Sequence, residues 1–316
     1  MRKDLLFSLL LILFSFSCSN SDSQLSPEEN KMLNAFNSQN YEEAIRLADI
    51  LHNEEPNNPK PLVIKGRSQN GLGRFEEAIQ SLDKAITIEP NFSDAYLYRA
   101  LVYYALEDYE KGKKDWLLLL KKEPANPLYL EFYAHNRYRA KDFSEAIATY
   151  QKLIEKYPNK IDLYIYSAGA KREALDYDAA IIDLQNALKI DSKSSFANEE
   201  LGNVFSSQEK YELAIEQFNL GLKYMSEEEI PAIRANIHDS RGEAFLKIGK
   251  VELATKDFDT SIQISPNAAA YKNKALIALQ NKNIAQACEY LKRAQKYDAS
   301  TKTAAKIQEL VTAHCL

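Results

Sequence analysis

The chain has 316 residues, and its 45 Asp and Glu outnumber its 40 Lys and Arg, which gives a formal net charge of −5 at pH 7. This mildly acidic balance argues against a nucleic-acid-binding protein, in which a basic patch or stripe is expected. It also argues against a protein that holds a membrane surface by charge alone.

The first residues differ from the rest of the chain. Arg2 and Lys3 precede an apolar run from Leu5 to Phe16. A helix of that length rises about 18 Å, which is short of the ~30 Å hydrocarbon core of a bilayer. Residues 1–17 are therefore predicted to be a signal peptide and not a membrane-spanning helix.

The end of this segment, Ser15-Phe16-Ser17-Cys18, resembles a bacterial lipoprotein signal, although Ser15 stands where that family usually has Leu. The resemblance implies that Cys18 is lipidated, with residues 18–26 as a flexible tether. Ser19 follows in place of the Asp that marks inner-membrane retention, so we expect the outer membrane, on its periplasmic face or at the cell surface. The alternative is an ordinary cleaved signal with an incidental cysteine.

Beyond the tether, an aromatic residue recurs at a spacing of 34, with a small residue three positions after it. The aromatic series is Tyr41, Phe75, Tyr109, Phe143, Tyr177 and Tyr211. If the repeats are counted from residues 25, 59, 93, 127, 161, 195, 235 and 268, their position 8 is a small residue at Gly66, Ala100, Ala134, Ala168, Gly202 and Gly242. Position 24 is large and apolar, at Leu82, Trp116, Tyr150, Leu184, Phe218 and Phe258, and position 32 is proline at Pro56, Pro90, Pro124, Pro158 and Pro266. Because proline cannot continue a helix, a helix is predicted to end before each of these prolines.

The period and the pattern resemble the tetratricopeptide repeat. The resemblance implies that two helices cross closely at the small position 8 and that position 24 needs a large apolar residue. The resemblance implies an all-α fold, an α-solenoid in which antiparallel helix pairs form a right-handed superhelix. Stacking is required because one pair cannot bury its apolar face alone. About eight repeats occupy residues 27–301, and they are framed as 25–58, 59–92, 93–126, 127–160, 161–194, 195–228, 235–267 and 268–301.

Two segments depart from the regular period. Six extra residues, 229–234, precede the seventh repeat, so its first helix is predicted to begin early, with Pro231 near its start,. Residues 302–316 carry Ile307, Leu310 and Val311 at helical spacing and are predicted to form a capping helix over the last repeat,.

The cysteines suggest a covalent link at the C-terminal end. Export implies an oxidising compartment, and with Cys18 assigned to lipid, Cys288 and Cys315 remain as a pair,. They fall near the start of the last second helix and at the end of the capping helix, positions that antiparallel packing brings together. A disulfide is therefore predicted, and the alternative is two free thiols at a helix interface.

The sequence contains no recognisable catalytic constellation. No two of its four histidines have metal-ligand spacing on a helix, and it has no Gly-x-Ser-x-Gly elbow, Walker loop or Gly-x-Gly-x-x-Gly,. We therefore expect a protein that is not an enzyme and that needs no cofactor or metal.

The resemblance also implies a concave groove, which positions 2, 5, 6, 9, 12 and 13 of the first helices line. The residues predicted to form this partner-binding groove are Leu97, Tyr98, Leu101, Tyr104, Phe132, His135, Tyr138, Tyr166 and Arg172. Aromatic residues are favoured anchors in recognition surfaces. The groove should become acidic further along, at Glu199, Glu200 and Glu243. The alternative is that the rings only pad contacts between neighbouring first helices.

These features together predict a non-catalytic scaffold that is lipid-anchored in the bacterial envelope. Its partners would be other envelope proteins or peptides, bound in the groove, and not nucleic acid. The alternative function is capture of peptide or glycan ligands in the envelope.

Overall fold

The computed structural model describes residues 25–226, 231–297 and 301–315. Over these residues the chain forms 17 α-helices and no strand, so the predicted all-α solenoid class is confirmed. The signal peptide, Cys18 and the tether up to residue 24 lie outside the described residues. The chain divides into two compact units, with the boundary between Tyr157 and Pro158.

The first unit contains four helix pairs, and each pair is joined by a short turn. Its helices are α1 (Pro27–Asn37), α2 (Tyr41–Glu54), α3 (Lys60–Gly71), α4 (Phe75–Ile88), α5 (Ser93–Ala105), α6 (Tyr109–Lys122), α7 (Pro127–Arg139) and α8 (Phe143–Lys156). Odd-numbered helices are the first of their pair, and even-numbered helices are the second.

The second unit contains four more pairs and a final single helix. Its helices are α9 (Ile161–Glu173), α10 (Tyr177–Ile190), α11 (Ser195–Ser207), α12 (Tyr211–Tyr224), α13 (Pro231–Lys247), α14 (Val251–Ile264), α15 (Ala268–Gln280), α16 (Ile284–Ala294) and α17 (Thr301–His314). Helix α13 begins early, at Pro231, as its sequence predicted; a proline is tolerated at that first position because its missing N–H would have no helical partner,.

The helix ends follow from local sequence. Each proline at position 32 lies two residues after a helix end, as Pro56 does after Glu54 and Pro90 does after Ile88. Within a pair, the chain reverses through a residue of positive φ, for example Gly73 at 73° and Gly249 at 76°. Glycine adopts this left-handed conformation without a steric penalty, because it has no Cβ.

The positions predicted to be small and large, 8 and 24, lie in the core, and they meet there in the repeats where position 8 is glycine. All six large residues at position 24, from Leu82 to Phe258, are fully buried. A Cβ placed on Gly202 would lie 2.6 Å from the ring of Phe218, and one on Gly242 would lie 2.7 Å from that of Phe258. The small residue is therefore required where the two helices cross, which confirms the sequence interpretation of these positions.

Successive repeats are also joined by polar links on one edge. In the first unit, Lys65 contacts Asp49 at 2.6 Å and Arg99 contacts Asp83 at 2.5 Å. In the second unit, Lys274 pairs with Asp259, and Arg241 donates to the side-chain oxygen of Asn219 at 2.6 Å. In each case a cation at position 7 of one repeat reaches the acid or amide at position 25 of the repeat before it.

The C-terminal end of the second unit is closed by α17. Ile307 and Leu310 are buried in one cluster with Tyr271 and Leu291 of the last repeat. Cys288 of α16 and Cys315 are joined by a disulfide, with their Cα atoms 5.6 Å apart. This link covalently ties the last repeat to the final helix. None of the helices in the described residues has the length and apolar character needed to cross a membrane.

Candidate protein-interaction surface

In the first unit, several side chains that were expected to line the groove are buried between helices. Leu97 and Leu101 are each 6 % exposed and belong to the cluster around Trp116. Phe132 is 4 % exposed, and its ring stacks on that of Trp116 with the centroids 5.5 Å apart. These three residues are therefore core residues, and the expectation that they line an open groove is wrong.

His135 and Tyr166 require the same correction. His135 is 2 % exposed, and its Nδ1 lies 2.8 Å from the hydroxyl oxygen of the buried Tyr150. Tyr166, in the second unit, is 7 % exposed. For these residues, padding between helices describes the structure better than a ligand-binding role does.

Three predicted tyrosines of the first unit stay half-buried. The Arg67 guanidinium lies over the rings of both Tyr98 and Phe36, with its Cζ 4.3 Å from each ring centroid. Tyr104 meets the ring of Tyr109 edge-on at 5.6 Å, and Tyr138 meets that of Phe143 at 5.8 Å. Each of these tyrosines has a structural contact on one side and exposes part of the ring on another.

Arg139 lies beside Tyr104 and Tyr109, which meet edge-on. Arg139 donates from Nε to the hydroxyl oxygen of Tyr109 at 3.2 Å, and its guanidinium lies 5.9 Å from the centre of that ring. Arg139 also faces Tyr104, where burial raises the pKa of the phenol. We call Tyr104, Tyr109, Tyr138 and Arg139 the tyrosine–arginine cluster. All four are partly exposed.

Sequence reasoning named two members of this cluster and missed the other two. Arg139 stands at position 13, which the groove rule includes, and the basic residue next to Tyr138 was the available signal. The sequence identifies Tyr109 only as a member of the aromatic series at the 34-residue spacing. Its contact with Arg139 depends on the packing of one repeat on the next, so the spacing did not reveal it.

In the second unit, two of the predicted acidic groove residues, Glu200 and Glu243, are each held by a basic side chain and an asparagine. Arg172 donates to Glu200 at 2.7 Å, and Asn203 donates to the other oxygen of that carboxylate at 3.2 Å. Glu243 accepts from the side-chain amide of Asn273 at 2.8 Å and lies 3.5 Å from Lys272. Arg172 therefore belongs to an ion-pair network and is not an isolated cation awaiting a ligand.

Asp239 is a buried carboxyl group of this unit with a raised pKa. Its side chain is 7 % exposed, and its Oδ1 has no hydrogen-bond partner among the described residues. Burial raises the pKa of Asp239 to about 7, although Ser261 and Asn267 form hydrogen bonds that favour the carboxylate. The charges that face it are Glu243, which raises its pKa further, and Lys272, which lowers it.

Asp239 should therefore make stability depend on pH. Because its folded-state pKa lies above the ordinary value near 3.8, the contribution of its neutral form is present at low pH and lost as the pH rises from about 4 to about 7,. We expect Asp239→Asn to melt higher than wild type at pH 8 and to reduce the difference in Tm between pH 5 and pH 8. Scanning calorimetry at the two pH values measures both effects.

Glu216→Gln, at an exposed position of α12, is the matched control and should leave that pH dependence unchanged. Equal shifts of Tm with pH in wild type and Asp239→Asn would contradict the assignment.

Comparison with known proteins identifies the repeat. A family model described as "TPR repeat" matches residues 68–107, and models described as "Tetratricopeptide repeat" match residues 134–160 and 240–301. Human RNA polymerase II-associated protein 3 is 27 % identical over 182 residues, which are 58 % of this chain and 24 % of that protein. The wheat Hsp70-Hsp90 organizing protein is 24 % identical over 239 residues, which are 71 % of this chain and 38 % of that protein. The chain thus spans well under half the length of these two relatives.

Solved structures share the fold. A tetratricopeptide repeat protein from Parabacteroides merdae superposes with a TM-score of 0.67 at 18 % identity, over 82 % of this chain and 99 % of that one. Yeast Tom70 superposes with a TM-score of 0.69 at 15 % identity, over 95 % of this chain and 66 % of that one. These two structures show the shared fold, and the three matched family models, with the repeat pattern and the helix pairs described above, identify the chain as a tetratricopeptide repeat protein.

Proposed function

We propose that this chain is a non-catalytic scaffold of the bacterial envelope that binds other envelope proteins or peptides. Tetratricopeptide repeat proteins act in protein–protein interaction, so family membership supports the coarser part of this proposal. The proposed attachment is a lipid on Cys18, and the proposed location is the outer membrane.

The tyrosine–arginine cluster is the feature of the structure that supports a protein-binding site in the first unit. Tyrosine and arginine are enriched among residues that dominate binding energy, because they combine large contact area with directed hydrogen bonds. Arg139 holds its guanidinium against Tyr109 and is 27 % exposed, so the group is oriented before a partner arrives. A preoriented side chain loses less conformational entropy on binding.

The test is capture of a partner from solubilised envelope by the full chain and by Arg139→Gln. If the cluster is the hot spot, Arg139→Gln should weaken partner affinity about 30-fold, which corresponds to ~2 kcal/mol, with only a small change in Tm. Arg46→Gln is the matched control, because Arg46 pairs with Glu43 on the exposed side of α2. Equal capture by all three proteins would move the binding site elsewhere.

A cleft in the second unit favours ligand capture as the alternative function. It has a volume of about 470 Å³, within the usual range of ligand sites, and lies between α14, α15 and α16,. Val251, Ile277 and Ala278 give it an apolar lining, while Gln286 and Tyr290 offer hydrogen-bonding groups. A stable stoichiometric protein in the eluate supports the scaffold, whereas recovery of only small peptides or glycans supports capture.

The lipid anchor gives a separate prediction. Cys18→Ser removes the thiol that would carry the lipid, so the variant should enter the soluble envelope fraction or accumulate as an unprocessed precursor. Fractionation of cells followed by mass spectrometry of the N-terminus distinguishes these products. Normal processing with unchanged membrane association would contradict the anchor.

A further inference from the structure

The outer face of α6 carries two exposed leucines between lysines. Leu117 and Leu118 are each 46 % exposed, and Lys114 and Lys121 are exposed one turn to either side. Residues three and four apart lie on the same face of a helix, so these four side chains form one surface. We call it the α6 outer surface.

Leu117 departs from the residue type that the other repeats of this chain have at the same position. Position 25 is polar in the other repeats that lead to a further pair, at Asp49, Asp83, Gln151, Gln185, Asn219 and Asp259. Asp83 pairs there with Arg99 of the next repeat, whereas the residue equivalent to Arg99 after Leu117 is Tyr133, whose hydroxyl donates to Glu145 instead. At Leu117 the repeat therefore has an exposed apolar side chain in place of an inter-repeat polar link.

The carboxylates of α6 do not neutralise this surface. Asp115 is 2 % exposed and is bound by Arg99, and Glu110 pairs with the buried Arg137 at 2.7 Å. The lysines therefore give the α6 outer surface a positive charge within an acidic chain. This combination of positive charge and exposed apolar area is complementary to an anionic surface that also accepts apolar side chains.

We propose that the α6 outer surface contacts an anionic lipid bilayer, with Lys114 and Lys121 on lipid phosphates and Leu117 and Leu118 in the interfacial layer. Basic side chains are attracted to anionic headgroups, and leucines at this depth add apolar burial. Two leucines offer too little apolar area for a stable protein interface, but a weak membrane contact suffices beside another attachment. The contact is local to α6 and does not depend on lipid at Cys18.

Lysine footprinting on vesicles tests the proposal with the full chain. The protein is incubated with vesicles of phosphatidylglycerol and phosphatidylethanolamine, or with neutral phosphatidylcholine vesicles, and acetylated briefly before mass spectrometry. We expect acetylation of Lys114 and Lys121 to fall about fivefold on the anionic vesicles and to stay unchanged on the neutral ones. Lys84 and Lys189, exposed on α4 and α10, should react equally on both.

Matched variants separate this contact from any other attachment of the chain to the vesicles. Leu117→Ser with Leu118→Ser should abolish most of the protection, while Ile182→Ser, at a 57 % exposed position of α10, should retain it. Equal acetylation of Lys114 and Lys121 on the two kinds of vesicle would overturn the proposal. The footprinting experiment does not depend on partner capture, so it can fail or succeed separately from the test of the tyrosine–arginine cluster.

Discussion

Replacing Trp116 with alanine should lower the free energy of unfolding by about 3–5 kcal/mol, because the truncation leaves a cavity that the neighbouring helices cannot fill. Trp116 is fully buried, and it stacks on Phe132 within a cluster that also contains Leu119 and Tyr133. Denaturant unfolding followed by far-UV circular dichroism measures the loss. The effect should be concentrated in the neighbouring repeats, because repeat-protein stability is a sum of neighbour terms.

Two controls isolate packing as the cause. Trp116→Phe keeps a ring in the stack and removes an indole N–H that has no hydrogen-bond partner among the described residues, so it should cost much less than the alanine variant,. Leu117→Ala changes the next residue, which is 46 % exposed, and should shift stability by no more than about 0.5 kcal/mol,. A loss in Leu117→Ala as large as that in Trp116→Ala would contradict the packing explanation.

The repeat core could be predicted from sequence because its residues are constrained together. Gly202 and Phe218 are 16 positions apart, and the same small and large pair recurs at the repeat spacing. A Cβ at Gly202 would overlap the ring of Phe218, so the pattern reflects a direct steric requirement. Size complementarity of this kind is visible in a single chain.

The exposed surface could not be predicted in the same way. Phe132 and Tyr138 both occupy groove positions of one helix, yet Phe132 is 4 % exposed while Tyr138 keeps a partly exposed ring. The difference arises from Trp116, which stacks on Phe132 from the preceding repeat. A rule based on position in the repeat cannot include the size of a side chain on a neighbouring repeat, so it overestimates the groove.

The largest electrostatic effect is expected at Arg99. Its Nε and Nη2 donate to the two oxygens of Asp115 at 2.8 and 2.6 Å, and its Nη1 donates to Asp83 at 2.5 Å. Asp115 is 2 % exposed, and burial raises the pKa of its carboxyl group in spite of the hydrogen bonds from Arg99. Arg99 is therefore the group that allows a buried carboxylate to remain ionised.

Arg99→Ala should lower the free energy of unfolding by about 3–5 kcal/mol at neutral pH, because it leaves Asp115 buried without its cation. Thermal and denaturant unfolding measure the loss. Replacing both partners, as Arg99→Met with Asp115→Leu, should recover most of it, since an apolar pair of similar volume needs no desolvation of charge. Arg46→Ala removes a cation from an exposed pair on α2 and serves as the control for loss of a surface ion pair, with little expected change,.

The pH dependence of Arg99→Ala identifies the cause of its instability. Without Arg99, the folded-state pKa of Asp115 should rise further above its ordinary value, because only the neutral carboxyl group tolerates burial. A raised folded-state pKa stabilises the fold at low pH and withdraws that stability as the pH rises, so the deficit relative to wild type should shrink from pH 7 toward about pH 4. A deficit that stays constant over this range would mean that Arg99 acts through the packing of its aliphatic stem, and the charge explanation would then be wrong.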